Sequence, residues 1–233
     1  TLINKQMEKL MTYKFSTMKP IYFVLFLALA ISMPLIAQEE VKKEDESEVA
    51  VVPDADGIKD PGLKAGSVAP SWALMYAPAK FEFLKNWTVE RGKRLRKSTT
   101  QPYRHVVVVS FFATWCKPCM KELPLLQNLY EKFDGKRVKW FLVDITEATR
   151  TSPGFEDSPK AGPFLAKKGI TMPILNDNRG VAKERYGAKT LPRLYVIDKF
   201  QTIRLAKKGF HEGEDFEGEV GSMVEILLAE ADE

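Results

Sequence analysis

Cysteine is scarce here: two in 233 residues. A secreted scaffold held together by disulfides needs more of them, spread along the chain, so that class is excluded. Histidine is equally scarce. His105 and His211 stand far apart, and neither belongs to a spacing that ligates zinc or copper. Charge of one sign is also missing, since 35 basic residues meet 31 acidic ones for a net +4. With no nucleic-acid motif beside it, that balance argues against a nucleic-acid partner. No internal repeat is visible. Only one apolar run, residues 21–37, approaches membrane-spanning length.

The charge is distributed unevenly. Four lysines against Glu8 precede and flank the start of the apolar run IYFVLFLALAISMPLIA, and Gln38-Glu39-Glu40 follow it at once. Basic, then apolar, then polar with small residues at the junction is the layout of a secretory signal peptide, with Ala37 as the cleavage point. The competing reading is an uncleaved membrane anchor, for which the run sits at the lower edge of the required length, roughly 17–25 residues. No cysteine lies in the run, so a lipid-anchored lipoprotein is excluded. Residues 38–60 hold nine acids against Lys42, Lys43 and Lys59 and little to bury. They read as a flexible acidic linker. The folded domain is expected over residues 61–233.

Within it, Val106-Val107-Val108-Val109-Ser110-Phe111-Phe112 has no polar alternation, the pattern of a strand buried on both faces. Leu123, Leu126, Leu129, Tyr130 and Phe133 then recur at helical spacing until Gly135. Residues 138–144 form a second buried strand. Short helices are expected over 159–168 and 181–186, short strands over 172–175, 194–198 and 203–207, and an amphipathic helix over 220–230. The last two strands can pair through the turn Lys199-Phe200-Gln201. Alternation of this kind implies an α/β fold, a mixed central sheet flanked by helices.

Between the first strand and its helix stands Trp115-Cys116-Lys117-Pro118-Cys119. Thiol–disulfide exchange needs a thiolate attacker and a second thiol to resolve the mixed disulfide. A Cys-x-x-Cys pair at a helix start supplies both. The first cysteine lies near unpaired backbone N–H groups and the positive end of the helix dipole, which favour its thiolate. Cys116 is therefore the expected nucleophile and Cys119 the resolving thiol. Pro118 falls in the first helical turn, where its missing N–H costs little. Two plainer readings stand beside this one: an inert disulfide, whose small loop stabilises little, and half of a metal site, whose remaining ligands the sequence does not offer.

These residues resemble the thioredoxin-like superfamily, in particular its TlpA/ResA-type periplasmic branch. Ala65-Gly66-Ser67-Val68-Ala69-Pro70 is similar to the family's opening G-x-x-A-P. Ser110 to Cys119 is similar to its N-F-W-A-T-W-C-x-P-C, with Ser and Phe substituted, and Glu122 and Pro124 to the E-x-P that follows. Residues 170–177 are similar to its F-P-V-L-x-D segment, and Leu191-Pro192 occupies the place of the cis-proline. The resemblance implies a thioredoxin fold with an N-terminal extension and a central insertion. It implies a Leu191–Pro192 cis peptide lying against Cys116 and presenting backbone to a substrate strand. It also implies that Glu122 tunes the pair or carries its proton, although a surface glutamate is the default without it.

Implied too are a redox-active disulfide in place of a cofactor, protein thiol or disulfide substrates, an inner-membrane electron donor and a periplasmic or otherwise extracytoplasmic location. The function expected is reduction of disulfides in exported proteins, as in cytochrome c maturation or thiol rescue. The alternatives are an oxidant or isomerase on the same fold, or a redox-sensing or metal-binding module. A peroxidase would carry Pro-x-x-x-Thr/Ser-x-x-Cys, which is absent. The basic residues 80–104 are read as a solvated loop, with docking of an acidic partner or anionic lipid as the alternative. Asn86-Trp87-Thr88 spells a glycosylation sequon, read as accidental.

Overall fold

The computed structural model describes residues 62–232. The signal peptide or anchor expected over 1–37 and the acidic linker over 38–60 lie outside the described residues. Among those described, no helix is long and apolar enough to cross a membrane.

Seven strands form one mixed sheet: β1 (Ala73–Ala77), β2 (Lys80–Phe83), β3 (Val106–Phe112), β4 (Val138–Asp144), β5 (Ile174–Asn176), β6 (Arg193–Ile197) and β7 (Ile203–Lys208), in the spatial order β2-β1-β5-β4-β3-β6-β7. β3, β4 and β5 run parallel, and every other pairing is antiparallel. All seven residues of β3 are buried. Its run of valines and phenylalanines is explained by its place mid-sheet, where neither face meets water. This is the mixed α/β sheet with a thioredoxin-like order that the sequence led us to expect.

The helices are α1 (Lys117–Lys132), α2 (Thr146–Thr149), α3 (Ala161–Ala166), α4 (Val181–Arg185) and α5 (Phe216–Ala229). α1 packs beside α5, and α5 lies over β3, β6 and β7. The two helices approach closely at Gly221, where a Cβ would stand 3.3 Å from Leu129 Cδ2. Lys132–Glu225 and Asn128–Glu217 bridge their exposed flanks. Between β4 and β6 the chain inserts α2, α3, β5 and α4, which widens the sheet by one strand on the β4 side.

Several boundaries differ from expectation for identifiable reasons. α5 begins at Phe216, four residues before the apolar periodicity shows, because the Asp215 side chain accepts the Gly218 N–H at 3.0 Å and caps it. The strand expected over 172–175 is β5 at 174–176, displaced because Pro173 precedes it and gives only its carbonyl, to Leu142 N–H at 2.9 Å. β1 and β2 were not foreseen. They are an edge hairpin in which only Leu74 is fully buried, so the apolar signal is weak.

The largest correction concerns residues 80–104, of which 90–104 are largely the exposed loop expected and the stretch before them is not. Residues 80–104 carry β2 and a 3-10 turn at Leu84–Asn86, and bury Leu84, Asn86, Thr88, Val89 and Leu95. Thr88 Oγ1 donates to Asp198 O at 2.8 Å. Three of the basic side chains stack on rings: the Arg91 and Arg104 guanidiniums lie 3.6 and 5.1 Å from the Phe200 ring centroid, and that of Arg96 lies 3.7 Å from Phe83. Asn86 is buried, its Nδ2 donating to Glu82 Oε1 at 2.6 Å, so the sequon is not an exposed acceptor.

Candidate active site

Cys116 and Cys119 form a disulfide, with Cα atoms 5.3 Å apart. Cys116 is the N-cap of α1, and its sulfur accepts the Cys119 N–H at 3.2 Å. β3 delivers the motif: it ends at Phe112, and the turn closes through Cys116 N–H to Ala113 O at 3.0 Å. Lys117 and Pro118 are exposed. Cys116 retains 3% exposure and Cys119 none.

The peptide joining Leu191 to Pro192 is cis. Pro192 is buried at the start of β6, and its carbonyl accepts the Gly209 N–H at 2.9 Å. Residues 209–212 thereby come to the motif, where Phe210, His211 and Glu212 join Lys117, Pro118 and Lys121 around a groove of about 450 Å³.

Glu122 is not a surface glutamate. It lies one helical turn beyond Cys119, on the same face of α1, and is 1% exposed. Its Oε1 accepts from Ser110 Oγ at 2.7 Å, and its Oε2 has no hydrogen-bond partner. Burial pushes its pKa up to about 8, against the smaller opposing pull of the Ser110 hydrogen bond. The carboxyl therefore carries a proton at neutral pH. Ser110, whose effect the sequence left open, is the residue that holds it, contributed by the neighbouring β3.

Trp115 is half-buried. Its Nε1–H donates to Thr149 Oγ1 at 2.9 Å, and its ring stacks on Phe155 with centroids 4.2 Å apart and planes 21° from parallel. The threonines of the insertion continue the contact. Thr114 N–H donates to Thr146 Oγ1 at 3.1 Å, and Thr114 Oγ1 donates to Pro159 O at 2.9 Å. Thr114, Thr146, Thr149 and Phe155 were missed by sequence reasoning. Their partners lie 32 to 45 residues away, and no local pattern announces them.

The two histidines lie in different surroundings. His105 is half-buried, with Nδ1 3.0 Å from Gln101 Nε2, and its ring meets Trp87 edge-on. His211 is exposed at the groove. Among the described residues, no group of three or more His, Cys, Asp or Glu is placed to hold a metal ion.

The AhpC/TSA family model matches residues 77–206, more than half of the chain and the whole of the motif and the sheet's centre. The chain belongs to the AhpC/TSA family. Curated relatives include the thiol-disulfide oxidoreductase ResA of Geobacillus thermodenitrificans, 29% identical over 163 residues that cover 69% of this chain and 79% of that protein. The ResA of Bacillus thuringiensis is 30% identical over 159 residues, covering 68% and 78%. Among solved structures, a protein described as a thiol:disulfide interchange protein DsbE from Chlorobium tepidum superposes with a TM-score of 0.54 at 23% identity, covering 72% of this chain and 99% of that one. That likeness shows the shared fold. The enzyme class expected from the motif, a thiol–disulfide oxidoreductase, is the one these family members carry by name.

Proposed function

We propose that this protein reduces disulfides of exported proteins outside the cytoplasm, in work of the cytochrome c maturation or thiol-rescue kind. Electrons would come from a thiol donor at the inner membrane, and residues 21–37 would carry the chain to that compartment as signal or anchor. Cys116, reduced, attacks one sulfur of the substrate disulfide as a thiolate. The substrate's other sulfur leaves with the electron pair and takes a proton. Cys119 then attacks Cys116 in the mixed disulfide, releasing the second substrate thiol and regenerating the Cys116–Cys119 bond. The N–H of Cys119 and the start of α1 support the first thiolate. By the family resemblance, Pro192 would present backbone to a substrate strand.

The direction rests on the complete burial of Cys119 beside a buried Glu122. A thiol in apolar surroundings ionises reluctantly. Were Glu122 ionised as well, its charge would make a Cys119 thiolate costlier still. The reduced dithiol thus gains stabilisation at Cys116 alone and none at the second sulfur, which weighs against the strongly stabilised reduced form of an oxidant. When Cys119 must become the attacker its thiol gives up a proton, and the Glu122 carboxyl can take it only in its ionised form, which burial holds back until about pH 8.

Equilibration with glutathione or dithiothreitol buffers, read by thiol alkylation, tests the direction. A potential near about −270 mV supports a reductase, and one near about −120 mV makes the protein an oxidant. Cys119→Ser should trap a mixed disulfide on Cys116, and Cys116→Ser should trap none and lose turnover. If the pair does not cycle at all, the oxidoreductase role is wrong.

A further inference from the structure

The segment between α2 and α3, residues 150–160, is polar apart from one aromatic side chain, Phe155. Phe155 does not join the hydrophobic core. It stacks on the indole of Trp115, the residue immediately before Cys116. The segment that presents it is tied down throughout. Arg150 grips Glu147 through Nε and Nη2 at 2.8 Å each, and donates to Glu156 O at 2.6 Å and Ser158 O at 2.9 Å. Ser158 Oγ donates to Phe155 O at 2.7 Å, and Pro159 O receives the hydroxyl of Thr114, the residue before Trp115. At the near end, Thr149 Oγ1 donates to Thr146 O at 2.9 Å and is thereby aimed to accept the Trp115 indole N–H.

Both ends of the segment are thus fastened to the two residues that precede the cysteine, and its single ring is placed against the indole. An irregular stretch with so little apolar surface gains little stability from packing. Its hydrogen bonds instead serve to fix one ring against one neighbour.

We propose that Phe155 is a positioning residue for Trp115, and that the pair forms a fixed aromatic wall beside Cys116 that selects substrate disulfides flanked by apolar side chains. The proposal rests on Cys116 being the attacking thiol. Stacking on Phe155 and the hydrogen bond to Thr149 remove the indole's freedom to swing, so an apolar neighbour of the substrate cysteine meets a preformed surface.

The full chain, recycled by dithiothreitol whose direct reaction with each disulfide is subtracted, is assayed with three disulfides: a peptide with Leu beside its cysteine, the same peptide with Glu there, and hydroxyethyl disulfide. In the wild type, kcat/KM for the Leu peptide exceeds that for the Glu peptide. Phe155→Ala lowers this ratio about tenfold, chiefly through KM for the Leu peptide, with no change in reduction potential. Phe155→Leu, which keeps apolar volume without a ring, lowers it in the same way should the alanine variant fold poorly, and Phe155→Tyr restores it. An equal loss on all three disulfides, an unchanged ratio, or a shifted potential with unchanged KM overturns the proposal. A wild-type chain that reduces none of the three sinks the oxidoreductase role itself, an outcome read before any variant is made.

Discussion

Glu122 shows how far a single residue was legible. Its place after the motif was visible through the resemblance, but its state was not, because burial depends on Ser110 twelve positions upstream in β3 and on the helix packing above it. The consequence is testable. The folded chain holds a proton on Glu122 up to about pH 8, whereas the unfolded chain releases it near the ordinary value of 4.5. Over that window the unfolded state binds fewer protons than the folded one, so this residue makes stability fall as pH rises. Glu122→Gln keeps the acceptor for Ser110 and removes the titration. The variant should match the wild type near pH 4.5 and exceed it by about 2 kcal/mol or more at pH 8. Urea midpoints of both proteins between pH 4.5 and 9 check this, and parallel midpoints would refute it.

Elements were legible where the pattern was local. β3 and β4 declare themselves by unbroken apolar runs, and α1 by its periodicity and the proline in its first turn. The hairpin β1–β2 and the wrapped segment after it were not, since their stability comes from distant partners. The Thr88 hydroxyl reaches Asp198, and Arg91 and Arg104 reach Phe200 across the fold. α5 lies between these cases: its apolar face was readable, but its first turn depends on the Asp215 cap. Asp215→Ala should therefore lower stability by about 1 kcal/mol. For a domain of this size that is a fall of about 2–4 °C in Tm. Asp215→Asn or Asp215→Ser should recover most of it in a thermal melt, and an unchanged melting temperature for the alanine variant would show that the helix start does not depend on this side chain.

At the scale of the whole molecule, the redox state and the fold are two legs of one cycle. Unfolding the oxidised chain and then reducing it must cost the same as reducing the folded chain and then unfolding it. If the fold makes the disulfide harder to reduce than it is in the unfolded chain, the oxidised protein is the more stable by the same free energy, with about 30 mV corresponding to about 1.4 kcal/mol. Two features of the site compete over the sign. The start of α1 and the Cys119 N–H favour a thiolate on Cys116, which stabilises the reduced form. Burial of Cys119 and of Glu122 gives the second sulfur no comparable support. A disulfide closing so short a loop adds little by chain entropy, so the balance is set by the site and not by the cross-link. The reductase direction requires the second effect to win. The oxidised chain should then show a urea midpoint above that of the dithiothreitol-reduced chain at pH 7. The reverse order would mean that folding stabilises the dithiol, and the protein would pass oxidising equivalents to its substrates, whatever those substrates are.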